Sequence, residues 1–160
     1  MTLHITLEDP AQPEITSLLK AGEDYSAQLY PAESNHHLAL DALREPNVRF
    51  FVGRAGGRAV ATGALVLHGS PPDESWGELK RMWVVPEARG SGVSKAVLAA
   101  LEAEARSAHL NVLRLETGIE NHAALALYAR AGFARRGPFG DYRADPLSVF
   151  MQKELSGSRS

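Results

Sequence analysis

The stretch Glu78 to Ala108, ELKRMWVVPEARGSGVSKAVLAALEAEARSA, reads as a strand, a glycine-rich loop and an amphipathic helix in immediate succession. Leu79, Met82, Trp83, Val84 and Val85 make the segment Glu78 to Val85 a mostly apolar strand. Pro86 ends it, because proline has no N–H to give to a ladder. Farther on, Val97, Leu101, Ala105 and Ala108 fall on one helical stripe and Lys95, Glu102 and Arg106 on another, the period of a helix with one buried side. Between them lies Arg89-Gly90-Ser91-Gly92-Val93-Ser94. Glycines let the backbone turn tightly and approach a ligand, and the first N–H groups of a helix are unpaired and partly positive. The corner therefore suits a pyrophosphate.

The details of the loop narrow the ligand. A dinucleotide fingerprint needs a third glycine and sits near the start of a chain, whereas here Gly90-x-Gly92-x-x-Lys95 lies in mid-chain. The P-loop pattern is absent from the sequence. Downstream, Asn121-His-Ala-Ala124-Leu-Ala-Leu127-Tyr128-Ala-Arg-Ala-Gly132-Phe133 reads locally as a capped helix. Asn121 is the N-cap, Ala124, Leu127, Tyr128 and Ala131 share one face, and Gly132 is a left-handed stop.

Together the two stretches resemble the GNAT superfamily of N-acetyltransferases. The coenzyme A loop of that family, Arg/Gln-x-x-Gly-x-Gly/Ala, is matched by Arg89 and Gly92, with Ser94 departing at the last position. Its second landmark, Asn-x-x-Ala-x-x-Leu-Tyr-x-x-x-Gly-Phe, is matched throughout from Asn121 to Phe133. The segments Pro138 to Tyr142 and Asp145 to Met151 resemble a subgroup of small, largely uncharacterised bacterial members, which names no acceptor.

At 160 residues, 44% apolar and 22% charged, the chain reads as one domain over residues 1–160. A net charge of −2 and a pI near 6.3 argue against a nucleic-acid partner, which needs a basic face, and no apolar run approaches a membrane span. The start, MTLHITLEDP, lacks a signal peptide's basic and apolar regions, so a cytoplasmic address is expected. With no cysteine, disulfides, thiolate metal ligands and a cysteine nucleophile are excluded. His4, His36, His37, His68, His109 and His122 show no ligand spacing. They read mostly as surface or structural residues, and no metal is indicated.

Taken in order, Leu3 to Leu7 reads as a first strand, Asp9-Pro10 as the start of a helix over about Ala11 to Tyr30, and Ser34 or Asn35 as the cap of a short helix through Leu43. Val48 to Val52 and Arg58 to His68 form an antiparallel pair joined by Arg54-Ala-Gly-Gly57, and Gly69 to Ser75 is a loop. Val112 to Thr117 should lie parallel to Glu78 to Val85, as a right-handed crossover requires. Phe133 to Arg136 and Ser148 to Leu155 supply the last strands around a loop at Gly137 to Asp141, and residues 156–160 read as a disordered tail. The resemblance implies an α/β, α+β mixed fold of about six to seven strands flanked by about four helices. Its sheet is antiparallel in the N-terminal part and has a splayed parallel pair in the middle.

Acetyl transfer to an amine needs an unprotonated nucleophile, a polarised thioester carbonyl and a proton for the departing thiolate, whose thiol has a pKa of about 8.5. The resemblance implies acetyl-CoA as co-substrate, with its pantetheine arm in the cleft between the splayed strands. Tyr128 is the implied acid aimed at the sulfur, the alternative being a ring that packs on the helix face. A backbone N–H freed by a bulge at Met82 to Val84 would polarise the carbonyl, Val84 and Val85 would pair with the pantetheine amides, and the N–H groups of Gly90, Ser91, Gly92, Val93 and Ser94, helped by Arg89, would hold the diphosphate. Asn121 is either a pantetheine contact or a helix cap. Glu78 is the candidate base, acting directly or through water, or a solvated strand-end charge. Tyr25, Tyr30, Asn35, His36, Phe139, Asp141 and Tyr142 are the candidates for holding the acceptor, the primary amine of a small molecule or peptide, with Phe139 and its loop otherwise an aromatic plug. The rivals are a noncatalytic acyl-CoA-binding module and, more distantly, a nucleotide-binding protein. Pairing through the last strands into a homodimer is left open.

Overall fold

Val60, Ala61, Thr62, Ala64 and Leu65 are covered on both sides of one long strand, Arg58–His68 (β3), and the architecture is built around it. The computed structural model describes residues 2–31, 38–69 and 75–155. In chain order, β1 (Leu3–Leu7), α1 (Pro13–Leu29), α2 (Leu40–Leu43) and β2 (Val48–Ala55) precede β3. After it come β4 (Trp76–Val84), a 3-10 turn at Pro86–Ala88, α3 (Val93–Ser107), β5 (Val112–Gly118), α4 (His122–Arg130), β6 (Ala134–Arg136) and β7 (Ser148–Glu154). The described residues form one seven-stranded sheet in the order β1-β2-β3-β4-β5-β7-β6, antiparallel except for β4 with β5. The mixed α/β fold with one parallel pair is the one the sequence predicts. Among the described residues no helix is long and apolar enough to cross a membrane.

Several boundaries differ from the sequence reading for local reasons. Asp9 does not open α1: its Oδ1 accepts the Ala11 N–H at 2.9 Å in a turn, and the helix begins at Pro13, whose missing N–H costs nothing in a first turn. The helix ending at Leu43 begins at Leu40 after Ala39, so it is not capped by Ser34 or Asn35, which lie outside the described residues. β2 runs on to Ala55 because Gly56 and Gly57, at φ 59° and 84°, make the turn by themselves. Residues 156–160 also lie outside the described residues.

Alternation along the strands assigns the faces. A Cβ on Gly63 would meet Val97 at 2.7 Å and Leu101 at 3.2 Å, so α3 lies on that side. Trp83 pairs with Thr62 and points the other way, where a Cβ on Gly22 of α1 would meet its ring at 3.5 Å. Val93, Val97, Leu98, Leu101 and Ala105 form the buried stripe of α3, as its period predicts.

Two irregularities open a cleft. Pairing of β4 with β5 stops at Leu79 opposite Leu115, after which β4 continues to Val84 and β5 to Gly118 without touching. On its other edge β4 bulges: Thr62 faces Trp83 and Ala64 faces Lys80, so Arg81 and Met82 both oppose Gly63. Arg81 sits at φ 57°, a left-handed conformation uncommon outside glycine. Its side chain, 5% exposed, donates to Leu38 O and Leu19 O and pairs with Glu23 at 2.6 Å, strapping α1 and the approach to α2 onto the bulge.

The end of β5 depends on a glycine. A Cβ at Gly118 would lie 2.0 Å from the Tyr30 hydroxyl, which accepts the Glu120 N–H at 2.9 Å. Gly118→Ala must push that ring aside and break the bond, at an expected cost of about 1–3 kcal/mol. Urea unfolding measures it, and a variant as stable as the parent would mean that Tyr30 does not lock this corner.

Candidate active site

Where β4 and β5 part, a cleft of about 1050 Å³ runs through the sheet from the α1 side to the head of α3. Of the residues the sequence offers for coenzyme binding, Met82, Val84, Arg89, Gly90, Gly92, Val93, Ser94 and Asn121 line it; of the rest, Tyr25, Tyr30 and Tyr128 do. Val85 does not, because its N–H donates to Val60 O across the sheet at 2.9 Å; the backbone facing the cleft at this level is that of Val84. Ser91 turns away as well, its hydroxyl donating to Ala88 O at 2.7 Å.

At the head of α3, Gly90 and Gly92 sit at φ 82° and 84°, with open space where a Cβ would be. Gly92 is the N-cap and has no side chain to cap with, so the first N–H groups of α3 keep their full donor capacity at the mouth of the cleft. Lys95 and Arg130 add positive charge along the lining. Arg89 is engaged: its Nε donates to Val84 O at 3.0 Å, and its guanidinium lies 4.8 Å from the Trp83 ring and 5.9 Å from that of Tyr25.

The Tyr128 side chain is 5% exposed, edge-on to Phe133 at 5.6 Å, and among the described residues its hydroxyl has no hydrogen-bond partner. Burial pushes this phenol well above its ordinary value. Transfer of its proton to a thiolate is therefore uphill in the resting protein. Asn121 stands at the N-cap of α4 but makes no side-chain cap; its Nδ2 donates to Thr117 Oγ1 at 3.2 Å.

Glu78 is not a solvated strand end. It is 6% exposed, on the α1 side of the sheet, and does not itself line the cleft. His68 Nε2 is 3.1 Å from Oε1, Tyr142 donates to Oε2 at 2.6 Å, and the Lys80 ammonium is 3.5 Å from Oε2. Burial alone would raise this carboxyl, but the hydrogen bond from His68, the charge of Lys80 and the Tyr142 hydroxyl outweigh it and hold the group below its ordinary value. Phe139 and Tyr142 lie over this carboxylate, away from the cleft lining. They pack with Trp76 and Phe150 at ring separations of 5.1 to 5.7 Å, so the loop forms an aromatic plug against the sheet. Asp141 is exposed, and Asn35 and His36 lie outside the described residues.

Sequence reasoning missed Lys80, which lines the cleft, and His68, read as a surface or structural residue. Their one signal is register: Val66 pairs with Glu78 and His68 with Trp76, which places His68 diagonal to Glu78 on one face.

Residues 13–133 match the Acetyltransferase (GNAT) family. The IAA acetyltransferase of Azospirillum brasilense is 45% identical over 151 residues, 94% of this chain and 97% of that protein. The crystal structure of an acyl-CoA N-acyltransferase from Klebsiella pneumoniae superposes with a TM-score of 0.79 at 39% identity, covering 96% of this chain and 98% of its own. PaiA N-acetyltransferase from Thermoplasma acidophilum, in complex with coenzyme A, shares the fold at a TM-score of 0.73 and 16% identity, over 97% and 100% of the two chains. The family match runs from the first turn of α1 to the residue before β6, embracing both motifs and the cleft between them, and on it the chain belongs to the GNAT family of acetyltransferases.

Proposed function

We propose that the protein is an acetyl-CoA-dependent N-acetyltransferase that moves an acetyl group to the primary amine of a small molecule or peptide by direct attack within a ternary complex. The observation that carries this is the Tyr128 hydroxyl, without a partner among the described residues, in the wall of the cleft that ends at the glycine corner of α3. A hydroxyl that no protein group engages is free to donate to a departing sulfur held beside it.

In this reading the N–H groups from Gly90 to Ser94 hold the diphosphate, and the Val84 backbone, released by Arg89, pairs with the pantetheine. An N–H at the Arg81–Met82 bulge bonds the thioester oxygen as it gains charge. The amine attacks the carbonyl carbon, the C–S bond breaks, and Tyr128 donates a hydrogen bond that stabilises the charge of the departing thiolate. With no cysteine in the chain, an acyl-cysteine intermediate has no place. Glu78 takes up the amine proton from behind Lys80. The acceptor reaches the thioester from the α1 side, past Tyr25 and Tyr30.

Calorimetry with acetyl-CoA, followed by thiol release across a panel of amines, tests the proposal. Heat on binding and amine-dependent thiol release are expected. Binding without release for any amine would leave a coenzyme-binding module, and no heat at all would overturn the reading of the cleft.

A further inference from the structure

The three groups around Glu78 are not equivalent. The Lys80 ammonium donates to the Tyr142 oxygen at 2.6 Å, the Tyr142 hydroxyl donates to Glu78 Oε2 at 2.6 Å, and His68 Nε2 meets Oε1 at 3.1 Å. These contacts form an unbroken series. Lys80 at one end lines the cleft, while His68 at the other has a side chain 34% exposed and stacks on Trp76 at 4.1 Å. Lys80 and Tyr142 already satisfy Oε2, so pairing a buried carboxylate does not by itself require His68. What imidazole adds is two ring nitrogens, one of which can accept a proton while the other gives one up.

Attack by an amine that arrives as an ammonium ion frees a proton at the closed end of a cleft. We infer that Lys80, Tyr142, Glu78 and His68 form the exit for that proton, with Lys80 the catalytic member at the acceptor and the other three positioning residues that act through it. The inference rests on the N-acetyltransferase reading. The Lys80 ammonium passes a proton to the Tyr142 oxygen while the Tyr142 proton moves to Glu78 Oε2, and the neutral Lys80 amine so formed takes up the proton released as the acceptor N–H bond breaks. Exchange with water moves the His68 proton from Nε2, where it bonds Oε1 at rest, to Nδ1; rotation of the carboxyl group then presents the Glu78 proton to the freed Nε2, and Nδ1 releases its proton to water. Every group regains its starting protons and nothing is oxidised or reduced. Tyr142 never ionises, which suits a phenol that burial and the neighbouring Glu78 charge push far up. Glu78, held low, conducts a proton without storing it. The other charges facing the series are Arg114 of β5, paired with Glu78 of β4, and Glu116, two residues farther along β5, whose charge acts on Tyr142.

Steady-state thiol release at low buffer concentration, with the best amine of the panel, tests this with His68→Ala and His68→Gln. Glutamine keeps a hydrogen bond to Oε1 but cannot carry the proton. Both variants are expected to lose turnover on the order of tenfold to a hundredfold at unchanged KM for acetyl-CoA. Added imidazole should restore the alanine variant saturably by entering the slot against Trp76, and should leave the glutamine variant slow. A His68→Gln protein at the parental rate would overturn the exit while leaving the acetyltransferase intact, as would slow variants that imidazole does not rescue. A parent that binds acetyl-CoA yet releases no thiol with any amine would overturn the acetyltransferase reading itself, and the exit with it.

Discussion

Tyr128→Phe is expected to lower turnover by about two to three orders of magnitude and to leave both the fold and the affinity for coenzyme A as they are. The hydroxyl has no partner among the described residues, so its removal breaks no hydrogen bond. The ring, edge-on to Phe133, stays as phenylalanine. Thermal unfolding should therefore show a variant at least as stable as the parent, calorimetry an unchanged dissociation constant, and thiol release a large defect in kcat. Loss of stability in proportion to loss of activity would make Tyr128 a packing residue; a parental rate would remove it from the chemistry. Because burial holds the phenol far above its ordinary value, its ionisation should not set the alkaline limb of the rate profile below pH of about 10.

Arg81→Ala is expected to destabilise the protein by about 3 kcal/mol and to impair turnover even where the protein is folded. The substitution removes the donors to Leu38 O and Leu19 O and the partner of Glu23, and leaves a void beneath α1. It also frees the bulge whose N–H is proposed to meet the thioester oxygen. Backbone conformation supplies an internal control. At φ 57° a Cβ is strained, so Arg81→Gly should be more stable than Arg81→Ala by about 1 kcal/mol, the reverse of the order in an ordinary strand. Urea unfolding of the two variants measures the difference. Glycine below alanine would mean that the left-handed bulge does not form in solution.

The two motif stretches were legible because each is local. Val93 to Ser107 declares its helix by period, Pro86 and Gly92 punctuate it, and Asn121 to Phe133 carries a helix with a glycine stop at φ 102°. The Gly-Gly hairpin and the parallel crossover follow from the same kind of local chemistry. Near-equivalent local choices were misread: Asp9-Pro10 and Gln12-Pro13 both look like helix starts, and only the docking of α1 on the sheet selects the second. Asn121 was a plausible cap, yet its side chain turns back to Thr117, four residues earlier at the end of β5.

What the amino-acid order determined by itself was which segments become strand and helix and where the chain turns, since periodicity, proline and glycine act within a few residues. It also placed the unpaired N–H groups at the head of α3. Only the tertiary structure decided that Glu78 is buried, that a lysine, a tyrosine 64 residues later and a histidine ten residues earlier converge on it, and that Val85 is spent inside the sheet. Those facts depend on strand register and on which face a side chain takes, and a shift of one residue in pairing would reverse every one of them.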